Sequence, residues 1–144
     1  MKKIITHLGM LIVALTLTIT SCKKDDNSSP SSSSTSTAVP STLTTGSWRV
    51  SYYHESNNDH TLNFTGYSFT FSSNGTMTAT NSSGTTNGTW NNDDSHSEFH
   101  MSIGNSSPLS DISNGWIITS SSSTQIIMKD DNSAHNEELH FTRI

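Results

Sequence analysis

Residues 66–80 have the sequence GYSFTFSSNGTMTAT. Aromatic residues occupy positions 67, 69 and 71, Met and Ala occupy positions 77 and 79, and Ser or Thr fills the positions between them. The pair Asn74–Gly75 lies in the middle of the stretch. A period of two on both sides of an asparagine–glycine turn is typical of a β-hairpin that buries one face. The stretch therefore predicts two antiparallel strands joined by a tight turn.

The same period of two recurs throughout residues 46–144, between segments rich in Asn, Asp, Gly and Ser. Short connections favour an up-and-down order, and an eight-stranded sheet of this kind can close on itself. No long segment has a helical period, although one short helical turn is expected at Pro108–Ile112. We therefore predict an all-β domain, an eight-stranded antiparallel up-and-down small barrel. Its predicted strands are Trp48–Tyr53, Tyr67–Ser72, Thr76–Thr80, Gly88–Trp90, Glu98–Ile103, Trp116–Ile118, Ile126–Met128 and Leu139–Phe141.

Two motifs at the ends of this domain carry a resemblance. Gly46-Ser47-Trp48 at the start of the first strand resembles the G-x-W motif of lipocalins, and Arg143 in the last strand resembles the arginine that stacks on that tryptophan. Residues 46–144 also resemble the lipocalin-like domains of bacterial lipoproteins. The resemblance implies a closed barrel in which Arg143 packs on Trp48, where a cation–π contact stabilises by about 1–2 kcal/mol.

The aromatic residues bear on whether the barrel has room for a ligand. An eight-stranded barrel is just wide enough to be filled by its own side chains or to hold one small ligand. We expect a packed core, with at most a shallow pocket at the open mouth, lined by Tyr52, Tyr67, Trp90 and Trp116. Nine of the eleven aromatic residues fall on the predicted inward side: Trp48, Tyr52, Tyr67, Phe69, Phe71, Trp90, Phe99, Trp116 and Phe141.

The N-terminus has the pattern of a secretory signal. A basic start, Met1-Lys2-Lys3, precedes a short apolar run, Leu8 to Ile19, which predicts a cleaved signal peptide over residues 1–21. Small residues before Cys22, the only cysteine, resemble a bacterial lipobox. The resemblance implies cleavage before Cys22 and lipidation of its thiol and new amino group. The alternative is an ordinary secreted protein with a free thiol.

Residues 22–45 are predicted to form a lipidated linker. Within residues 23–45, 13 of 23 positions are Ser or Thr, a composition too polar to offset the entropy of ordering, so we expect disorder. Lys23, Lys24, Asp25 and Asp26 resemble the tag that exports lipoproteins to the surface of some Gram-negative bacteria. The resemblance favours the outer membrane and its outer face, and a periplasmic location is the alternative.

Charge and reactive residues exclude several classes of function. The formal net charge is −5, so no basic patch for nucleic acid is expected. His96 and His100 lie about 13 Å apart along one strand face, too far to bind one ion. The acidic pairs Asp93–Asp94, Asp130–Asp131 and Glu137–Glu138 are interpreted as solvated turns, and no Gly-x-Ser-x-Gly motif occurs. We therefore expect no catalytic residues, no metal and no cofactor.

These observations predict a lipid-anchored outer-membrane lipoprotein, exposed at the cell surface, whose barrel is a non-catalytic interaction or structural module. Its partners are the membrane, through the N-terminal lipid, and another surface protein. The alternative is a binder of a small apolar or glycan ligand at the barrel mouth.

Overall fold

The structure, a computed structural model, describes residues 39–144. The predicted signal peptide, Cys22 and Lys23 to Asp26 lie outside these residues. Within them, no helix has the length and hydropathy that a membrane span requires. The elements are α1 (Val39–Leu43), β1 (Trp48–Glu55), β2 (Asn58–Asp59), a 3₁₀ helix (Thr61–Phe64), β3 (Ser68–Phe71), β4 (Thr76–Asn81), β5 (Gly84–Asp93), β6 (Glu98–Ile103), a 3₁₀ helix (Ser110–Ile112), β7 (Gly115–Ser121), β8 (Gln125–Asp130) and β9 (Glu138–Arg143).

The strands form one antiparallel sheet that closes into a ring. From β3 to β9 each strand pairs with the next, β1 pairs with β3, and β1 also pairs with β9. The closing pair places Trp48 opposite Arg143 and Val50 opposite Phe141. The two-residue strand β2, which the sequence pattern did not predict, folds back on β1. The predicted all-β, up-and-down antiparallel barrel is confirmed, and the expected helical turn after Pro108 is a 3₁₀ helix.

Because neighbouring strands run in opposite directions, the connections divide between two ends of the barrel. The end at which β1 starts and β9 finishes, here called the Trp48 end, carries α1 and the β3–β4, β5–β6 and β7–β8 turns. The opposite end, here called the Glu55 end, carries the β1–β3 segment, the β4–β5 turn, the β6–β7 segment and the β8–β9 turn. Side chains on the connecting turns and segments therefore meet at one of these two ends.

The interior is filled by aromatic rings. Phe141 meets Phe69 and Phe71 edge-on, with ring centroids 5.3 and 5.6 Å apart. Edge-to-face pairs add about 0.5–1.5 kcal/mol to the free energy gained by burying the rings. Gly88 has no room for a side chain, because a Cβ there would lie 2.4 Å from the backbone oxygen of Ser102 on β6. The fully buried rings are Trp48, Tyr53, Phe69, Phe99, Trp116 and Phe141.

The predicted inward position of Tyr52 is wrong. The register between β1 and β9 shifts between Val50 and Tyr52, which is a β-bulge, and one extra residue reverses the sides that later residues face. Tyr53 is consequently fully buried in the core. The Tyr52 ring packs instead against His140, with ring centroids 4.9 Å apart.

The folded domain begins before residue 46, so the last part of the predicted linker is ordered. Leu43 in α1 is fully buried, and its carbonyl accepts a hydrogen bond of 2.9 Å from Trp48 Nε1. Gly46 connects α1 to β1 with φ +83°, a conformation that favours glycine. The high content of Ser and Thr predicts disorder for this segment, but Leu43 packs into the core and orders its end.

Candidate functional site

The contact between Trp48 and Arg143 is present at the Trp48 end. Arg143 Cζ lies 5.0 Å from the centroid of the Trp48 ring, and Arg143 Nη2 donates a hydrogen bond of 3.1 Å to the carbonyl of Thr42. The two side chains and α1 thus close this end around the first and last strands. This contact stabilises the fold and is not a binding site, since the Trp48 indole is fully buried.

The four residues predicted to line a mouth pocket do not meet. Trp116 is fully buried and donates a hydrogen bond of 3.1 Å to the carbonyl of Ile112. Trp90 lies near the β3–β4 turn at the Trp48 end, where its indole N–H bonds to the carbonyls of Ser72 and Thr76. Tyr52 is outside the barrel and Tyr67 is half-buried. The pocket prediction fails because the β6–β7 segment, with Ile112 buried, plugs the Glu55 end.

A lateral groove takes the place of the predicted mouth. β1 and β3 pair only at Trp48 and Phe69, so the two strands separate towards the Glu55 end. The resulting groove has a volume of about 420 Å³ and is lined partly by Tyr67, Leu62 and Ile144. Leu62 is 85% exposed and Ile144 is 62% exposed. Large exposed apolar side chains beside a groove can contact an apolar ligand.

A second candidate lies at the Glu55 end, in the β8–β9 turn. The side chain of Asp130, the last residue of β8, is only 1% exposed. One of its oxygens accepts a hydrogen bond of 2.6 Å from the backbone N–H of Asn132, and the other accepts one of 2.9 Å from the Asn114 side chain. His135 Nδ1 lies 3.1 Å from that second oxygen. With Glu137, the three side chains place one potential ligand atom each within 4.8 Å of one another.

We call the three residues Asp130, His135 and Glu137 the Asp130 cluster. Two of them are carboxylates, so the cluster is predominantly acidic. Burial, followed by the charges of Asp130 and Glu55, raises the pKa of Glu137 to about 7. Burial also raises the pKa of Asp130, but hydrogen bonds from Asn132 and His135 outweigh it and leave that pKa below its usual value. In residues 39–144, no lysine or arginine forms an ion pair with either carboxylate.

The sequence pattern did not predict the Asp130 cluster, because Asp130 and Glu137 fall in acidic pairs that are typical of solvated turns. A signal was available, because Asp130 shares the inward side of β8 with Ile126 and Met128. An aspartate on the inward side of a strand needs partners to offset its desolvation. Asp130 is therefore a buried carboxylate, which corrects the earlier interpretation.

Three other histidines form two-residue pairs with a carboxylate. His96 lies 2.8 Å from Asp93, and His100 lies 3.1 Å from Glu98. His140 lies 2.6 Å from Glu138. Across the part of the chain that the structure describes, the Asp130 cluster is where three side chains of metal-ligating type converge.

Fold and site together define a small closed antiparallel β-barrel domain with a filled interior. No protein family matches the sequence, and no curated protein matches it. The structure is similar to that of a DUF4847 family protein from Bacteroides vulgatus ATCC 8482, with a TM-score of 0.54. The similarity covers 72% of this chain and 96% of that chain at 15% identity, and so shows the fold alone.

Proposed function

We propose that this protein is a lipid-anchored outer-membrane lipoprotein whose barrel is a non-catalytic interaction or structural module at the cell surface. The observation that carries the module is the filled interior. Trp48, Trp116 and Phe99 are fully buried where a transport barrel would need a cavity. A domain with this interior must meet its partners through its outer surface.

The anchor is supported by the position of Cys22 directly after the predicted signal peptide. Residues 23–38 connect that cysteine to α1, and a chain of this length spans at most about 55 Å when fully extended. Because α1 lies at the Trp48 end, the described chain enters the barrel at that end.

The outer surface of the barrel offers hydroxyl groups for polar contacts. Thr70 and Thr78 share a hydrogen bond of 2.6 Å across β3 and β4, and Thr80 and Thr85 share one of 2.9 Å across β4 and β5. Threonine suits such positions because it combines a good strand propensity with a hydroxyl that bonds to water or to a partner. This face is suited to a polar partner such as another surface protein.

The anchor is tested by Cys22→Ser in the full chain. We expect an unprocessed precursor and the loss of palmitate labelling, whereas the matched variant Ser21→Ala should still be labelled. Replacing Lys23 to Asp26 with alanine should leave labelling intact and lower the accessibility of the domain to protease on intact cells. Unchanged labelling of Cys22→Ser would overturn the anchor, and unchanged accessibility would overturn the role of the tag.

The second candidate function is binding of a small apolar ligand, and the lateral groove is the observation that favours it. Leu62 and Ile144 expose apolar surface beside a groove of about 420 Å³, a volume within the range of small-molecule sites. A dye with apolar rings, such as the anion 1-anilinonaphthalene-8-sulfonate, should bind the full chain, and Leu62→Ser should weaken its binding. Thr119→Ser, on the exposed face of β7, is the control. If the dye does not bind, the groove is not an apolar binding site, and the interaction or structural module stays as the proposed function.

A further inference from the structure

We propose that Asp130, His135 and Glu137 bind one divalent transition-metal ion of the zinc class. This site is independent of the lipid anchor and of the lateral groove. It lies at the Glu55 end, on the turn between β8 and β9.

The donor geometry is close to what such an ion requires. Zinc binds imidazole nitrogen and carboxylate oxygen at about 2.0–2.2 Å, which places tetrahedral ligand atoms about 3.4 Å apart. His135 Nδ1 and Asp130 Oδ2 already lie 3.1 Å apart, and the group as a whole spans 4.8 Å. The His135 side chain is 53% exposed, so it can turn towards an ion without disturbing the core.

The kinds of donor select the class of ion. Calcium and magnesium prefer sites built of oxygen alone, whereas a mixture of imidazole and carboxylate suits zinc and its neighbours in the first transition series. Three protein ligands would leave a fourth position for water. An ion bound to His135 Nδ1 would replace the present contact of 3.1 Å between that nitrogen and Asp130 Oδ2.

Two asparagines beside the cluster hold the Asp130 carboxylate in position. Asn132 and Asn114 each donate a hydrogen bond to the Asp130 carboxylate, and they orient it as outer groups orient metal ligands. A recess of about 220 Å³ is lined in part by Asp130 and Glu137, together with Lys129, and the exposed His135 lies beside Asp130. An ion therefore has both a prepared ligand and a path of access.

Electrostatics also favours a cation. Asp130 and Glu55 both act on Glu137 through their negative charges. Within residues 39–144, neither Asp130 nor Glu137 has an ion pair with lysine or arginine. Burial and these charges disfavour the ionised form of Glu137, and a bound divalent cation would offset that cost.

The test is titration of the full chain, purified in detergent and treated with a chelator, with zinc chloride in a calorimeter. We expect one site, with binding weakened at least about tenfold by His135→Gln and by Glu137→Gln. His96→Gln is the matched control, because His96 forms a similar turn pair with Asp93 and should not affect binding. Equal weakening by His96→Gln, or no effect of the two cluster variants, would overturn the site.

A measurement on the unmutated protein keeps the test valid if a variant fails to fold. Zinc should shift the ring proton signals of His135 in an NMR spectrum at one equivalent and leave those of His96 unchanged. Equal shifts for both histidines would mean that zinc binds to exposed histidines in general, and the proposal would be wrong.

Discussion

The two ends of the barrel use their polar groups differently. At the Trp48 end, the indole N–H of Trp48 and the guanidinium of Arg143 donate to carbonyls of the α1 segment, and the rings are buried. At the Glu55 end, carboxylates gather around His135 with little positive charge to balance them. The first arrangement stabilises the fold, whereas in the second, burial and the charges of Asp130 and Glu55 disfavour the ionised form of Glu137. The difference indicates where the molecule is built for stability and where it is suited to binding.

The two ends also differ in a pair of similar residues, since each has a turn in which a histidine contacts an aspartate. Asp93 and His96 in the β5–β6 turn have side chains that are 38% and 68% exposed. Asp130 and His135 in the β8–β9 turn have corresponding values of 1% and 53%. The pairs share their chemistry, but only Asp130 is removed from water. Substitutions at the two ends should therefore differ in their effects.

The largest effect is expected from Trp48→Ala. Removing a buried ring should lower the free energy of unfolding by about 3–5 kcal/mol, as measured by urea denaturation. Tyr52→Ala, on the outside of the same strand, should cost about 1 kcal/mol or less. A loss below about 1 kcal/mol for Trp48→Ala would place that ring outside the core.

Leu43→Ala tests whether α1 belongs to the closed end. Leu43 is fully buried, so we expect a loss of about 2–4 kcal/mol in the free energy of unfolding. Leu62→Ala makes the same substitution at an exposed site and should change stability by no more than about 0.5 kcal/mol. Equal losses in the two variants would show that the domain begins after α1.

The third prediction compares the two aspartates. Asp130→Ala leaves the N–H groups of Asn132 and Asn114 without their acceptor and should cost about 1–3 kcal/mol. Asp93→Ala removes an exposed side chain and should cost clearly less. Thermal unfolding of both variants, measured in the presence of a chelator, gives the comparison. A greater loss for Asp93→Ala would reverse the assignment of the buried turn.

The smallest effect concerns the titration of His96. The hydrogen bond to Asp93 and the charge of that residue raise the pKa of His96 above its usual value. A raised histidine pKa contributes stability that is present below the pKa of the unfolded chain, about 6.5, and is lost as pH rises through the higher folded value. An NMR titration should give a lower pKa for His96 in Asp93→Ala. An unchanged pKa would mean that the pair is not formed in solution.

Much of the fold could be predicted because strand alternation is a local property. Phe69, Phe71 and Phe141 face inward as their positions in the sequence indicate. The prediction failed at Tyr52, where a bulge shifts the register, because a bulge depends on how β1 meets β9 and not on β1 alone. It also missed Phe64, which is buried in a short 3₁₀ helix without a repeating pattern.

The candidate site was less accessible to sequence reasoning. Asp130 falls on the inward side of β8, but its burial depends on the β6–β7 segment, which supplies Asn114 from 16 residues away. The lateral groove likewise depends on the separation of β1 and β3. Neither arrangement follows from one segment, since each needs the position of a second.

The amino-acid sequence alone specified an all-β chain with alternating faces, an aromatic interior and hairpin order, because parity and turn propensity act over a few residues. Folding in three dimensions added the β-bulge where β1 meets β9, the docking of Leu43, and the burial of Asp130 beside Asn114. These features depend on how separate segments of the chain pack against one another. Packing of this kind brings together residues whose contact no local pattern in the sequence predicts.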